Sequence, residues 1–422
     1  MQYIIKGGNK LEGKIHISGN KNAVFPCVAA ALLTDEEVVL ENISQLKDTE
    51  VLIQILKKLG VSIQKSGSRL IIKASSIRHY TLPDKLMTKL RGSIVLVGSI
   101  LSRVGKAVFW HPGGDIIGRR SIETHLEGFK ALGASIKRNN LKYVVTLEKK
   151  DRSKIFDIFF KEASVTATEN LILASVLGKQ KVILKNCAKE PHVLDLCRML
   201  TQMGAQITGI GTDRLEISGV DKLFGTKFRI GIDFIEVGTY MIAAVITQGK
   251  ITIEGIDASD LRSIFIHLKE FGIQIEQKND SIIVWADRLK SPAKITTNIW
   301  PGFPTDLMSV AMVLATQSKG VILCHDWMYE SRMFFVDKLI SMGAKIVLAD
   351  PHRVLVSGPT KLRGRSLETP DIRAGMALVL AGLVAKGKSK INQSELIERG
   401  YEDVVGKLRS LGAEIERIDE KR

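Results

Sequence analysis

Apolar positions along the chain change period at six places. Each carries an apolar residue, another three positions later, then Gly, then alternating apolar residues. The first three strings are Leu56-Lys-Lys-Leu59-Gly60-Val-Ser-Ile, Phe129-Lys-Ala-Leu132-Gly133-Ala-Ser-Ile and Leu200-Thr-Gln-Met203-Gly204-Ala-Gln-Ile. The last three are Leu268-Lys-Glu-Phe271-Gly272-Ile-Gln-Ile, Leu339-Ile-Ser-Met342-Gly343-Ala-Lys-Ile and Leu408-Arg-Ser-Leu411-Gly412-Ala-Glu-Ile. Spacing of three is helical, and a glycine just past a helix takes the left-handed conformation without a Cβ clash. The period of two that follows predicts a strand. One copy is a common helix-to-strand junction. Six copies, with glycines 73, 71, 68, 71 and 69 residues apart, describe one repeated unit.

A second pattern alternates with the first: an apolar helix of small residues, a stop, then a β-branched strand. Examples are Leu171–Gly178 into Lys181, Met241–Ile246 into Lys250, and Val310–Leu314 into Gly320. Helices this apolar are expected to be buried. Common solenoid repeats have periods of about 20–50 residues, shorter than this one. Six α/β units are therefore expected to form two domains of three, with the break near Arg229–Asp233. A cleft between equal lobes is a usual ligand site.

Composition narrows the partners. The chain has 422 residues, 45% hydrophobic and 25% charged, which excludes disordered and collagenous classes. Its net charge of +16 suits anionic partners: nucleic acid, a membrane surface or phosphorylated metabolites. The basic residues form no single tail or stripe and no RNA-binding string occurs, so nucleic acid is not expected. No apolar run approaches the roughly 20 residues of a membrane span, and the start lacks a signal peptide. A cytoplasmic location without a membrane partner is expected. Four cysteines, none in CxxC, and eight scattered histidines give no metal-binding pattern.

Candidate chemistry is spread along the chain. Gly19-Asn-Lys21-Asn22 is a strand-to-helix turn whose free N–H groups suit an anion; an N-capped helix with a surface lysine is the plainer alternative. Pro112-Gly-Gly-Asp115-Ile-Ile-Gly118-Arg119-Arg120 reads as a flexible loop able to cover an anion, or as a solvated turn. Arg91, Asp306, Arg332, Asp371, Arg373 and Arg399 stand near predicted helix starts, where each alone is usually a cap or a solvated charge. They recur at comparable places in several units, so convergence of the units would make a basic pocket with Asp115 and Asp306 among its cations. His125, five residues after Arg120, could line the same site, but a structural or surface role is expected.

Five motifs in order, Ser18-Gly-Asn-Lys-Asn-Ala23, Pro112-Gly-Gly-x-x-Ile-Gly-x-Arg120, Phe303-Pro-Thr-Asp306, Asp371-x-Arg-Ala-Gly375 and Arg399-Gly-Tyr401, resemble the enolpyruvyl transferase family. The resemblance spans essentially the full length, and Gly19-Asn-Lys-Asn22 favours the branch acting on UDP-N-acetylglucosamine. It implies an α/β fold of two inverse α/β barrel domains, each of three βαβαββ repeats. The domains would be 21–230, and 1–20 with 231–422.

The implied reaction moves the enolpyruvyl group of phosphoenolpyruvate to the 3-hydroxyl of UDP-N-acetylglucosamine. Phosphate is released, and the step opens peptidoglycan synthesis. Shikimate 3-phosphate as acceptor, or a non-catalytic anion-binding paralogue, is the alternative. By the same resemblance Lys21, Asn22, Arg120, Arg332, Arg373, Arg399 and Asp371 bind phosphoenolpyruvate. Arg91, Arg120, Ser121, Ile122, Glu123, Thr124, Ala163, Ser164, Val165, Asp306 and Met328 bind the sugar nucleotide. Asp115, Lys21, Asp306 and Arg399 are catalytic, with Asp306 as base and Asp115 as proton donor, and no cofactor is needed. Asp115 stands where most members have the cysteine that fosfomycin alkylates, so resistance to fosfomycin is expected. Ser121 and Glu162 depart from the family's usual proline and lysine beside the nucleotide.

Overall fold

A computed structural model describes residues 1–77, 79–114, 117–118, 120–147 and 154–419. The chain forms two compact units. One comprises Met1–Ser18, Asp115–Arg119 and Ile232–Arg422, and the other comprises Gly19–Gly114 and Arg120–Gly231. Each has its own apolar core.

The repeat is clearest in the unit containing Gly19. Strand Ile155–Phe159 leads to helix Val165–Ser175, strand Lys181–Lys185, helix Pro191–Gln202 and the strands Gln206–Thr208 and Arg214–Ser218. The first two strands pair in parallel through their helical crossover, and the others join antiparallel. This βαβαββ order recurs, and the described strands form three sheets in each unit. The six repeat glycines all have positive φ, from 85° to 101°, directly after their helices.

Three sheets are completed by strands distant in sequence. Gln2–Lys6 lies between Lys388–Asn392 and Glu414–Ile418, with Tyr3 opposite both Ile391 and Arg417. Glu12–His16 runs parallel to Lys250–Glu254. In the other unit Thr226–Arg229 runs parallel to Glu37–Glu41.

Three helices in each unit are largely buried and touch one another: Lys21–Ala31, Leu96–Val104 and Val165–Ser175 in one, and Phe234–Ile246, Met308–Gln317 and Ile372–Val384 in the other. Every residue of Phe234–Ile246 is buried. Small side chains permit this closeness. The N–H of Gly98 donates to Asn170 Oδ1 at 2.7 Å, and a Cβ at Gly98 would fall 2.3 Å from the Asn170 carbonyl oxygen. The remaining helices are amphipathic, such as Lys47–Lys58, whose buried positions include Leu52, Ile55 and Leu56. Burying each such aliphatic side chain contributes roughly 1.5–3 kcal/mol.

Candidate active site

The candidate residues gather at the N-terminal ends of these buried helices. Four unpaired N–H groups and the positive end of the helix dipole lie at such an end, so an anion is favoured there. Lys21 and Asn22 open the first helix of their unit, Arg91 opens the 3-10 turn Arg91–Val95 before the second, and Ala163, Ser164 and Val165 open the third. In the other unit Asp233, Asp306 and Asp371 stand at the three equivalent starts.

At the first start, Asn20 caps the helix by accepting from the Asn22 N–H at 2.9 Å. Lys21 is buried, not a surface residue, and pairs with Asp48 at 2.8 Å. Arg91 donates to the Ser121 carbonyl at 2.9 Å, which holds the segment carrying Arg120, Ile122 and Glu123 beside it. Ser121 Oγ accepts from the Glu123 N–H at 3.0 Å, and Thr124 donates to Glu162 at 2.8 Å.

His125 is buried and structural, as expected. Asn170 Nδ2 lies 2.9 Å from its Nδ1, and its Nε2 lies 3.0 Å from Thr166 Oγ1. Because an amide NH₂ only donates, Nδ1 accepts and Nε2 carries the proton. Burial, with Arg91 adding to it, pushes the imidazole pKa down to about 3.

The loop glycines at Gly113 and Gly114 serve close approach more than flexibility. A Cβ at Gly113 would fall 1.7 Å from the Thr88 carbonyl oxygen. Gly114 has φ +119° and sits against Arg91 and Arg120. Asp115 lies outside the described residues.

The other unit supplies an acid held between cations. Asp306 Oδ1 accepts from Arg332 Nη2 at 3.1 Å, and Oδ2 accepts from Arg373 Nε at 3.0 Å and Nη2 at 2.8 Å. Both guanidiniums are buried. Burial works against their charge, but Asp306 acting with Asp371 and Asp326 at Arg332, and with Tyr401 and Asp233 at Arg373, raises both above the ordinary arginine value. Arg373 also lies over the Tyr401 ring at 5.1 Å. Arg332 Nε is buried without a hydrogen-bond partner among the described residues.

Asp371 caps its helix through Oδ1, which accepts from the N–H groups of Arg373 and Ala374 at 2.8 and 3.0 Å. Thr305 donates to Asp326, which also accepts from the Met328 N–H at 3.0 Å. Arg399 ends the 3-10 turn Ser394–Arg399 and is half-buried.

Sequence reading missed Asp48, Asp233 and Asp326. Asp48 reads as an ordinary acid in a helix first turn, and nothing local marks its distant partner. Asp233 directly precedes the mostly apolar helix Phe234–Ile246 and is a capping signal that was readable. Its carboxyl is buried, which pushes its pKa up despite nearby Arg373. Among the described residues no helix is long and apolar enough to cross a membrane.

Comparison with known proteins agrees with this geometry. The profile of the EPSP synthase (3-phosphoshikimate 1-carboxyvinyltransferase) family matches residues 5–408. A UDP-N-acetylglucosamine 1-carboxyvinyltransferase of Borreliella burgdorferi is 46% identical, over 99% of both chains. One of Treponema denticola is 43% identical, over 98% of this chain and 99% of the relative. Among solved structures, the enolpyruvyl transferase NikO of Streptomyces tendae superposes with a TM-score of 0.88 at 24% identity, covering 98% of each chain. EPSP synthase of Acinetobacter baumannii gives 0.77 at 17% identity, covering 98% of this chain and 99% of that one.

Proposed function

The chain belongs to the EPSP synthase family of carboxyvinyl transferases, and from that premise we propose that it acts on phosphoenolpyruvate and UDP-N-acetylglucosamine. It transfers the enolpyruvyl group to the sugar 3-hydroxyl and releases phosphate, as a cytoplasmic enzyme opening peptidoglycan synthesis. The observation that carries this reading is the pair of buried guanidiniums, Arg332 and Arg373, which offer fork-shaped donors beside the partly exposed Asp306 carboxylate. Guanidiniums suit phosphoenolpyruvate because its carboxylate and phosphate each accept two parallel hydrogen bonds.

The reaction is an addition followed by an elimination. The sugar oxygen bonds to C2 of phosphoenolpyruvate while C3 gains a proton, giving a tetrahedral ketal. The C2–O bond to phosphate then breaks and C3 loses a proton, which restores the double bond. Lys21, Asn22, Arg120, Arg332, Arg373 and Arg399 hold the phosphoenolpyruvate anion and stabilise the leaving phosphate. Asp306 takes the hydroxyl proton. Asp371 assists removal of the C3 proton, and Asp115 supplies the proton to C3. Arg91, Ser121–Thr124, Ala163–Val165 and Met328 hold the UDP-sugar.

The acceptor is tested by phosphate release from phosphoenolpyruvate with either UDP-N-acetylglucosamine or shikimate 3-phosphate. Release is expected with the first alone. Release with shikimate 3-phosphate alone refutes the acceptor, and release with neither refutes the activity.

A further inference from the structure

The ion pair of Lys21 with Asp48 brings in an acid that the anion-binding set described above does not include. Lys21 is the first residue of helix Lys21–Ala31, and its side chain is 10% exposed. A cation at a helix N-terminus faces the positive end of the dipole, and burial strips its water. Both effects oppose the ammonium unless a carboxylate compensates. Asp48 lies 2.8 Å away, with its side chain 6% exposed. It sits in the first turn of helix Lys47–Lys58, where that helix's own dipole favours a negative charge. The acid is thus held in place by its own helix.

We propose that Asp48 is a positioning residue for substrate binding: it anchors the Lys21 ammonium at one fixed place, so that the remaining N–H donors address the phosphate of phosphoenolpyruvate. An ammonium has three rotatable donors on a flexible stem. Committing one to Asp48 removes most of that freedom before the substrate arrives, and preorganised donors bind an anion with less ordering cost. Asp48 acts on the substrate through Lys21. The inference rests on the reading that Lys21 holds the phosphate, and the experiment separates the two.

Steady-state kinetics of Lys21→Ala, Asp48→Asn, Asp48→Glu and the Lys21→Ala/Asp48→Asn double variant decide it. Asp48→Asn is expected to raise the KM for phosphoenolpyruvate about 10-fold or more, the scale of a lost charge-assisted hydrogen bond. The KM for UDP-N-acetylglucosamine should stay within about 2-fold, a split that general loss of structure does not produce. The double variant should be no worse than Lys21→Ala, because Asp48 has no route to the substrate once the ammonium is gone. Asp48→Glu guards against a misfolded Asn variant. It keeps the charge but moves the anchor by one methylene, and it too should raise the phosphoenolpyruvate KM selectively. An unchanged phosphoenolpyruvate KM in both Asp48 variants, or additive losses in the double variant, overturns the proposal. An unchanged phosphoenolpyruvate KM in Lys21→Ala instead overturns the assignment of Lys21 itself.

Discussion

Glu169 stands in the buried helix Val165–Ser175 with 2% exposure, and its Oε1 has no hydrogen-bond partner among the described residues. Burial, and then the neighbouring Glu190, push its pKa well above 4.5. Burial also raises Glu190, to about 7. Folding above pH 4.5 therefore takes up a proton at Glu169. The folded state binds more protons than the unfolded chain, so this group's contribution is fully present below the unfolded pKa and is lost as pH rises. The loss is about 1.4 kcal/mol for each pH unit between the unfolded and the folded pKa.

Glu169→Gln removes the proton linkage and adds a nearly constant cost of about 1–3 kcal/mol for an imperfectly paired amide. The slope, not the sign at one pH, is therefore the diagnostic. Variant stability minus unmodified stability should rise from pH 5 to 7, by at most about 1.4 kcal/mol per pH unit. In a unit of roughly 200 residues, each kcal/mol closes or opens a Tm gap by about 2–4 °C. His125 acts the opposite way: its pKa is depressed, so its contribution is present above about pH 6.5 and lost as pH falls. Both proteins share that effect, and it cancels in the difference. Urea unfolding of both proteins at pH 5, 6 and 7 measures the slope. Parallel stability curves would refute the claim that Glu169 is buried as the neutral acid.

Other outcomes follow from single positions. Gly133 has φ +90° and open space where a Cβ would stand. Gly133→Ala should therefore cost about 1–2 kcal/mol from backbone strain alone, with Gly133→Asn milder in the same unfolding assay. Arg373→Lys keeps the charge but loses the fork on Asp306. It should raise the phosphoenolpyruvate KM on the order of 10-fold or more, read in the phosphate-release assay. The unmodified enzyme should resist fosfomycin and Asp115→Cys should acquire sensitivity while retaining activity. Inactivation of the unmodified protein by low fosfomycin would defeat the assignment of Asp115 as proton donor in place of a thiol.

Local pattern alone specified the repeat. Gly60, Gly133, Gly204, Gly272, Gly343 and Gly412 each follow a helix with positive φ, because the left-handed position depends only on the residue and its immediate turn. The mostly apolar helices were likewise readable as buried, since no face of them suits water. The helix starts were legible through their charged and capping residues, and with them most of the candidate site. Tertiary structure decided which partners those residues met. Nothing near Gln2–Lys6 says that it lies between strands almost four hundred residues away. Nothing near Lys21 names Asp48, or near Asp306 names Arg332 and Arg373. Backbone conformation is governed by neighbours within a few residues. Ion-pair partners are chosen by topology, because a buried charge accepts whichever opposite charge the fold brings within hydrogen-bond reach.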